Sequence, residues 1–222
     1  MSLLSNFFSS SIGKKFTVAT TGILFCFFLL FHLANNFILF AGPEVFNSFV
    51  SNLEKIKPVI RLLEFILLSI LLLHITNAFI LTWKSKKAKN SPNLIKQQKK
   101  NSSFVSKTMG FSGSIIFIFI VTHLSTFWYR FQITKDHNSY YNIIMSDSVG
   151  FGNIFITILY LIAMIFLGSH LRHGFQSAIQ TFGIKNTRLG KILIQVSVIF
   201  WFFIPLGFFG IAFWFGIING LL

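Results

Sequence analysis

Five histidines fall inside long apolar runs of this chain: His32, His74, His123, His170 and His173. A neutral imidazole carries one N–H donor and one nitrogen lone pair, and the lone pair can ligate a metal. Ionisable side chains at membrane depth are costly and concentrate where function needs them. A single such histidine would read as a hydrogen-bonded packing residue, but one on each of four successive apolar segments points to a shared ligand. The lone cysteine, Cys26, sits in an apolar run. The chain therefore has no disulfide framework, no Cys-x-x-Cys-His attachment and no thiolate set for an iron–sulfur cluster. Any redox group must be held by something other than sulfur.

The segments that carry these histidines identify the solvent. The 222 residues are 54% hydrophobic and 11% charged, with mean hydropathy +0.72. Soluble domains are about 25% charged, so this composition excludes a solvated globule and a disordered chain. A helix needs about 20 apolar residues to cross the hydrocarbon, where unpaired backbone groups are not tolerated. Five stretches qualify, at residues 16–41, 59–83, 109–128, 154–171 and 192–218. The first is too long and lacks a small-residue cleavage site, so it reads as a retained span. The expectation is an all-α membrane protein, one domain over 1–222, with the first four of five transmembrane helices forming the ligand-holding bundle. Residues 1–12, with Phe7 and Phe8 among serines, read as an interfacial segment.

Charge sets the orientation. Lys14, Lys15, eight lysines between Lys84 and Lys107, Arg172, Lys185, Arg188 and Lys191 lie on one side. The other side holds five basic residues and all five acids: Glu44, Glu54, Glu64, Asp136 and Asp147. By the positive-inside rule the N-terminus is cytoplasmic and the C-terminus outside. The net charge of +14 thus reflects topology, and no nucleic acid is implied. The basic linker at 84–108 reads as a solvated loop that can also meet anionic lipid headgroups or an acidic partner patch.

Depth then pairs the histidines. At 1.5 Å per residue, His32, ten residues before Gly42, and His123, seven before Arg130, both lie roughly 10–15 Å below the outer boundary. His74, thirteen after Arg61, and His170, seventeen after Asn153, lie roughly 20–26 Å below it. Two pairs on two levels, on the order of 10 Å apart, suit two bis-histidine haems in a four-helix bundle. Zinc usually takes four ligands at one depth, and copper would prefer Cys or Met. An internal repeat accompanies the pairs: Thr21-Gly22 precedes His32-Leu33 as Ser112-Gly113 precedes His123-Leu124, ten residues from glycine to histidine in each. His74 is followed at the fourth position by Ala78, and His170 by Gly174. A small residue one turn on shares the ligand's helix face and leaves room for a flat macrocycle.

Glu64 is the one acid within a span. It reads either as a proton-exchange residue for a quinone near the outer pair or as a partner of Arg61. Arg61 and Arg130 read as haem-propionate partners or interfacial anchors.

The stretch from Ser11 through Thr21-Gly22 to His32-Leu33, the segment Ser112-Gly113 to Trp128, and Ser169-His170-Leu171-Arg172-His173-Gly174-Phe175 resemble the five-span, di-haem cytochrome b subunit of bacterial succinate dehydrogenase and fumarate reductase. The resemblance implies that His32 pairs with His123 and His74 with His170 as axial ligands of two b haems. His170 is selected over His173 because the family's fourth-span ligand is followed at the fourth position by glycine. It further implies electron exchange with quinone, and with menaquinone in particular, since two-haem members generally use it. The implied partners are a flavoprotein subunit with FAD and an iron–sulfur subunit on the cytoplasmic face of a bacterial inner membrane. The chain has no dinucleotide fingerprint and no cluster cysteines, so those cofactors and the dicarboxylate active site belong to the partners. Two other readings remain: a di-haem cytochrome b of a nitrate reductase, formate dehydrogenase or hydrogenase, and a proton-coupled transporter with a histidine relay.

Overall fold

The computed structural model describes residues 3–89, 104–134 and 140–219. Among these residues the chain is helical, with no strand, in agreement with the all-α expectation. Five helical segments are long and apolar enough to cross a membrane. Span one is Ser11–Ala41, span two Lys57–Lys87, span three Met109–Ile133, span four Ile154–Thr181 and span five Arg188–Ile218.

Side-chain caps start three of them. Ser10 accepts from the Gly13 N–H, Asn153 from Phe155 and Ile156, and Thr187 from Gly190, each satisfying first-turn donors that no intrahelical carbonyl can reach. Span four continues to Thr181, beyond the apolar run that ends near Leu171. Its extra turns carry Arg172, His173 and Gln176, yet Phe175, Ala178 and Ile179 remain buried along one stripe. Hydropathy marks where lipid ends, whereas the helix persists as long as one stripe packs.

Span two packs on span one, span one on span four, span four on span three, and span five closes against spans four and one. Spans one and three, and likewise two and four, are not among these closely packed neighbours and lie diagonally across the bundle. Span four is the most buried and span two the least, its Leu62, Phe65, Leu72 and Leu73 exposed as a lipid-facing surface. The core is built from Cys26, Leu33, Tyr160, Leu167, Phe200, Ile204 and Ile211 on spans one, four and five. Close approach of spans four and five depends on Gly216, where a Cβ would overlap the Thr157 side chain. Pro205 lacks the N–H that would bond the Trp201 carbonyl, and the turn before it, Ile199–Phe203, widens to π-helix.

The bundle end that carries the acids is covered by two short helices that the sequence pattern did not announce, Pro43–Lys55 and Tyr140–Met145. Gly42, at φ +92°, makes the turn out of span one, and Pro43 opens the next helix, where its missing N–H is harmless. The Asn47 side chain accepts from the Tyr141 N–H at 2.9 Å and ties the two helices together. Tyr140 is fully buried beneath them. At the opposite, basic end, Leu3–Ser9 is a short helix. Of the basic linker, Lys96, Lys99 and Lys100 lie outside the described residues, as do Lys135 and Asp136.

Burial first, and the Glu54 carboxylate second, push the Tyr140 phenol up to about 12. A raised phenol stabilises the fold fully below the unfolded value near 10, and that contribution is lost as pH rises from about 10 through 12. The melting temperature in detergent is therefore expected to fall over this window, and Tyr140→Phe should flatten the fall. An unchanged slope in the variant would show that Tyr140 is not the group responsible.

Candidate functional site

Four of the intramembrane histidines are mid-helix, and the fold brings them into relation in the order of their levels. His32 of span one and His123 of span three meet across the bundle with ring centroids 5.8 Å apart and planes at 87°. Phe28 stacks on His32 at 5.2 Å, Phe208 of span five packs against it at 5.6 Å, and Phe119 packs against His123 at 5.7 Å. His74 and His170 make no ring contact with each other but lie within electrostatic range. The edge of the Phe25 ring meets His74 at 6.0 Å.

Each ring's Nδ1 has a defined neighbour. His74 Nδ1 is 2.9 Å from Thr21 Oγ1, and His170 Nδ1 is 3.3 Å from Ser112 Oγ. His123 Nδ1 is 3.0 Å from the Tyr160 hydroxyl. His32 is the exception: its Nδ1 is 3.5 Å from the Asn36 amide, which gives its N–H to the His32 carbonyl at 2.7 Å. Among the described residues no fully buried side-chain nitrogen or oxygen lacks a partner. Among the described residues no side-chain or backbone hydrogen bond reaches the Nε2 atoms of His32, His123 and His170, while the His74 ring also lies beside the Val18 carbonyl.

All four rings remain only half-buried despite their depth in the bundle. A Cβ built at Gly174, one turn beyond His170, would meet nothing within 4 Å. At Gly22 a Cβ would stand 3.4 Å from His74 Cε1, and at Gly113 3.6 Å from His170 Cε1. The donor set is thus two imidazoles per level, with open space at Gly174 one turn from His170, which fits a group that takes two axial nitrogens. Among the described residues no three His, Cys, Asp or Glu gather in the manner of a compact metal site.

His173 lies three residues beyond His170, about 60° round span four and adjacent to it on the helix surface. It is half-buried and adjoins Arg172, whose guanidinium lies 5.0 Å over the Trp201 ring of span five. Glu64 stands apart from the histidines. Its Oε2 pairs with Arg61 Nη1 at 2.7 Å, and its Oε1 accepts from Trp128 Nε1 at 2.8 Å. Arg61 also donates to the Gln132 side chain and lies 5.9 Å over the Trp128 ring. These contacts tie spans two and three together at the acidic end, where their backbones are not closely packed. Arg130 is exposed.

Sequence reading singled out the histidines and Glu64 but not Tyr160, Asn36, Trp128 or Gln132. It noted Thr21-Gly22 and Ser112-Gly113 and attached each to the histidine on its own span. The fold attaches each to the histidine of the following span.

Five apolar helices long enough to cross a membrane, with the His32 and His123 rings meeting from spans one and three, define a polytopic all-α membrane protein. Residues 84–206, more than half of the chain, match the family described as succinate dehydrogenase/fumarate reductase transmembrane subunit. The chain belongs to this family, and as its membrane anchor it associates with the other subunits of such a complex. The matched segment contains Ser112, His123, Tyr160 and His170, whereas His32 and His74 precede it. No curated protein and no solved structure matches the chain.

The Glu64 contacts make a measurable coupling. In a double-mutant cycle of Glu64→Ala and Trp128→Phe, thermal unfolding should be non-additive by about 1 kcal/mol, because each substitution removes the same indole–carboxylate bond. Strict additivity would mean that the bond contributes nothing.

Proposed function

We propose that this chain is the di-haem cytochrome b of its complex, with His32 and His123 holding one b haem and His74 and His170 the other. When bound, b haem supplies one-electron redox chemistry between the iron–sulfur partner and quinone, with menaquinone as the expected quinone. The chain's own residues supply ligation, orientation and exclusion of water. Its imidazoles present Nε2 atoms from opposite sides of the bundle, and Phe28, Phe119 and Phe208 keep the His32 and His123 level apolar. The observation that supports this reading most directly is the meeting of His32 and His123 from diagonal helices. His170 is preferred to His173 because its Nδ1 is engaged by Ser112 and because Gly174 leaves volume one turn away.

The basic end is the cytoplasmic side in this reading, since Lys14, Lys15, Lys84, Lys86, Lys87, Lys185, Arg188 and Lys191 gather there. The FAD-bearing flavoprotein and the iron–sulfur subunit dock on that face in a bacterial inner membrane. Glu64, held between Arg61 and Trp128 at the outer end, is the proton-exchange candidate for quinone. Its carboxylate can change hydrogen-bond partners without leaving the outer end of span two. Glu64→Gln should alter the pH profile of quinone turnover while haem content stays normal. An unchanged profile would remove that role.

The ligand assignment is tested by a pyridine haemochrome assay on the purified complex. Two b haems per chain are expected, with one lost in His32→Ala, one lost in His74→Ala and none lost in His173→Ala. A wild-type chain without b haem, or a His74→Ala variant that keeps both, would overturn the assignment.

A further inference from the structure

The hydrogen-bond directions at the His74 and His170 level are fixed by the partners' own commitments. A hydroxyl has one proton to give and lone pairs to accept with. The Thr21 hydroxyl donates to the Thr17 carbonyl at 2.7 Å, and the Ser112 hydroxyl donates to the Met109 carbonyl at 3.1 Å. With each proton given to its own helix, the hydroxyl oxygen is placed to accept from the facing imidazole. In that arrangement His74 and His170 carry their protons on Nδ1, His74 with the Val18 carbonyl also in reach, and the Nε2 lone pairs stay uncommitted. Gly22 and Gly113 lie beside the same rings, where an added Cβ would stand in ordinary contact with His74 Cε1 at 3.4 Å and His170 Cε1 at 3.6 Å, so the hydroxyls carry the positioning.

We propose that the Thr21 and Ser112 hydroxyls are positioning groups for the histidine of the following span: they hold His74 and His170 as Nδ1–H tautomers and set the redox poise of the metal they share. This rests on the haem assignment above. An imidazole that donates through Nδ1 is more basic at Nε2 and favours the ferric state. Both ligands at this level receive the same aliphatic hydroxyl. At the other level His123 is served by the Tyr160 phenol, which is hydrogen-bonded onward to Thr126, and His32 has no hydroxyl partner. The two levels therefore differ in outer partners, and the second level serves as an internal reference.

The test is a redox titration of the optical spectrum of the intact complex carrying Thr21→Val, Ser112→Ala, both together, or Thr21→Ser. The haem missing from His74→Ala identifies the level. Its midpoint should rise in Thr21→Val and in Ser112→Ala, and rise further in the double variant. The shift should approach a tenfold change in the ferric-to-ferrous ratio, about 59 mV for one electron. Thr21→Ser should titrate like wild type, and the other haem should not move in any variant. Loss of this haem alone from Thr21→Val, with retention in Thr21→Ser, would also support the proposal. Wild-type potentials in the double variant would overturn it, and so would a Thr21→Ser that behaves like Thr21→Val. A wild-type complex with no b haem is a different result, which removes the haem assignment and the proposal with it.

Discussion

A neutral imidazole in a bilayer brings two polar nitrogens to a place where water cannot serve either of them. Moving an unpartnered polar group into an apolar medium costs roughly 2–7 kcal/mol. Four such groups would exceed a typical stability margin of about 5–15 kcal/mol. The bundle meets this constraint on one side of each ring only. Thr21, Ser112 and Tyr160 engage three of the Nδ1 atoms, while among the described residues no hydrogen bond reaches the Nε2 atoms of His32, His123 and His170. A packed core would have engaged both nitrogens or closed over the rings.

The same constraint explains the architecture around the rings. Spans one and two form one unit and spans three and four another, and in each the first helix carries hydroxyl-glycine ten residues ahead of its own histidine. That hydroxyl serves the second helix, and the histidine serves the diagonal partner in the other unit. Each helix of the first type therefore works at two depths, roughly 15 Å apart for ten residues of rise. Span five contributes no histidine. It buttresses spans one and four, supplies Phe208 to the His32 wall and, through Trp201, accepts the Arg172 guanidinium.

Much of this was legible in the chain. Long apolar runs gave five spans because lipid leaves the backbone few alternatives, and the 1.5 Å rise put the histidines on two levels. What was not legible depended on rotation and on contacts between spans. The partner of Thr21 could not be read from spacing, since eleven residues place it near its own histidine's face while the fold turns it to His74. The Pro43–Lys55 helix escaped because it lies across the bundle end, outside any hydropathy window. Span four outran its apolar run because Phe175, Ala178 and Ile179 continue a buried stripe that charge at Arg172 conceals. Glu64 was recognised with two readings open, and its bond to Trp128 joins residues 64 positions apart.

The central claim is that imidazoles from diagonal helices share a metal in pairs. Electron paramagnetic resonance of the oxidised, purified complex tests it most directly, because two axial imidazoles make ferric haem low-spin. The account predicts two low-spin ferric haem signals per chain, each abolished by removing either member of its own histidine pair. A high-spin ferric signal at either level, or a signal that survives loss of one assigned ligand, would contradict it.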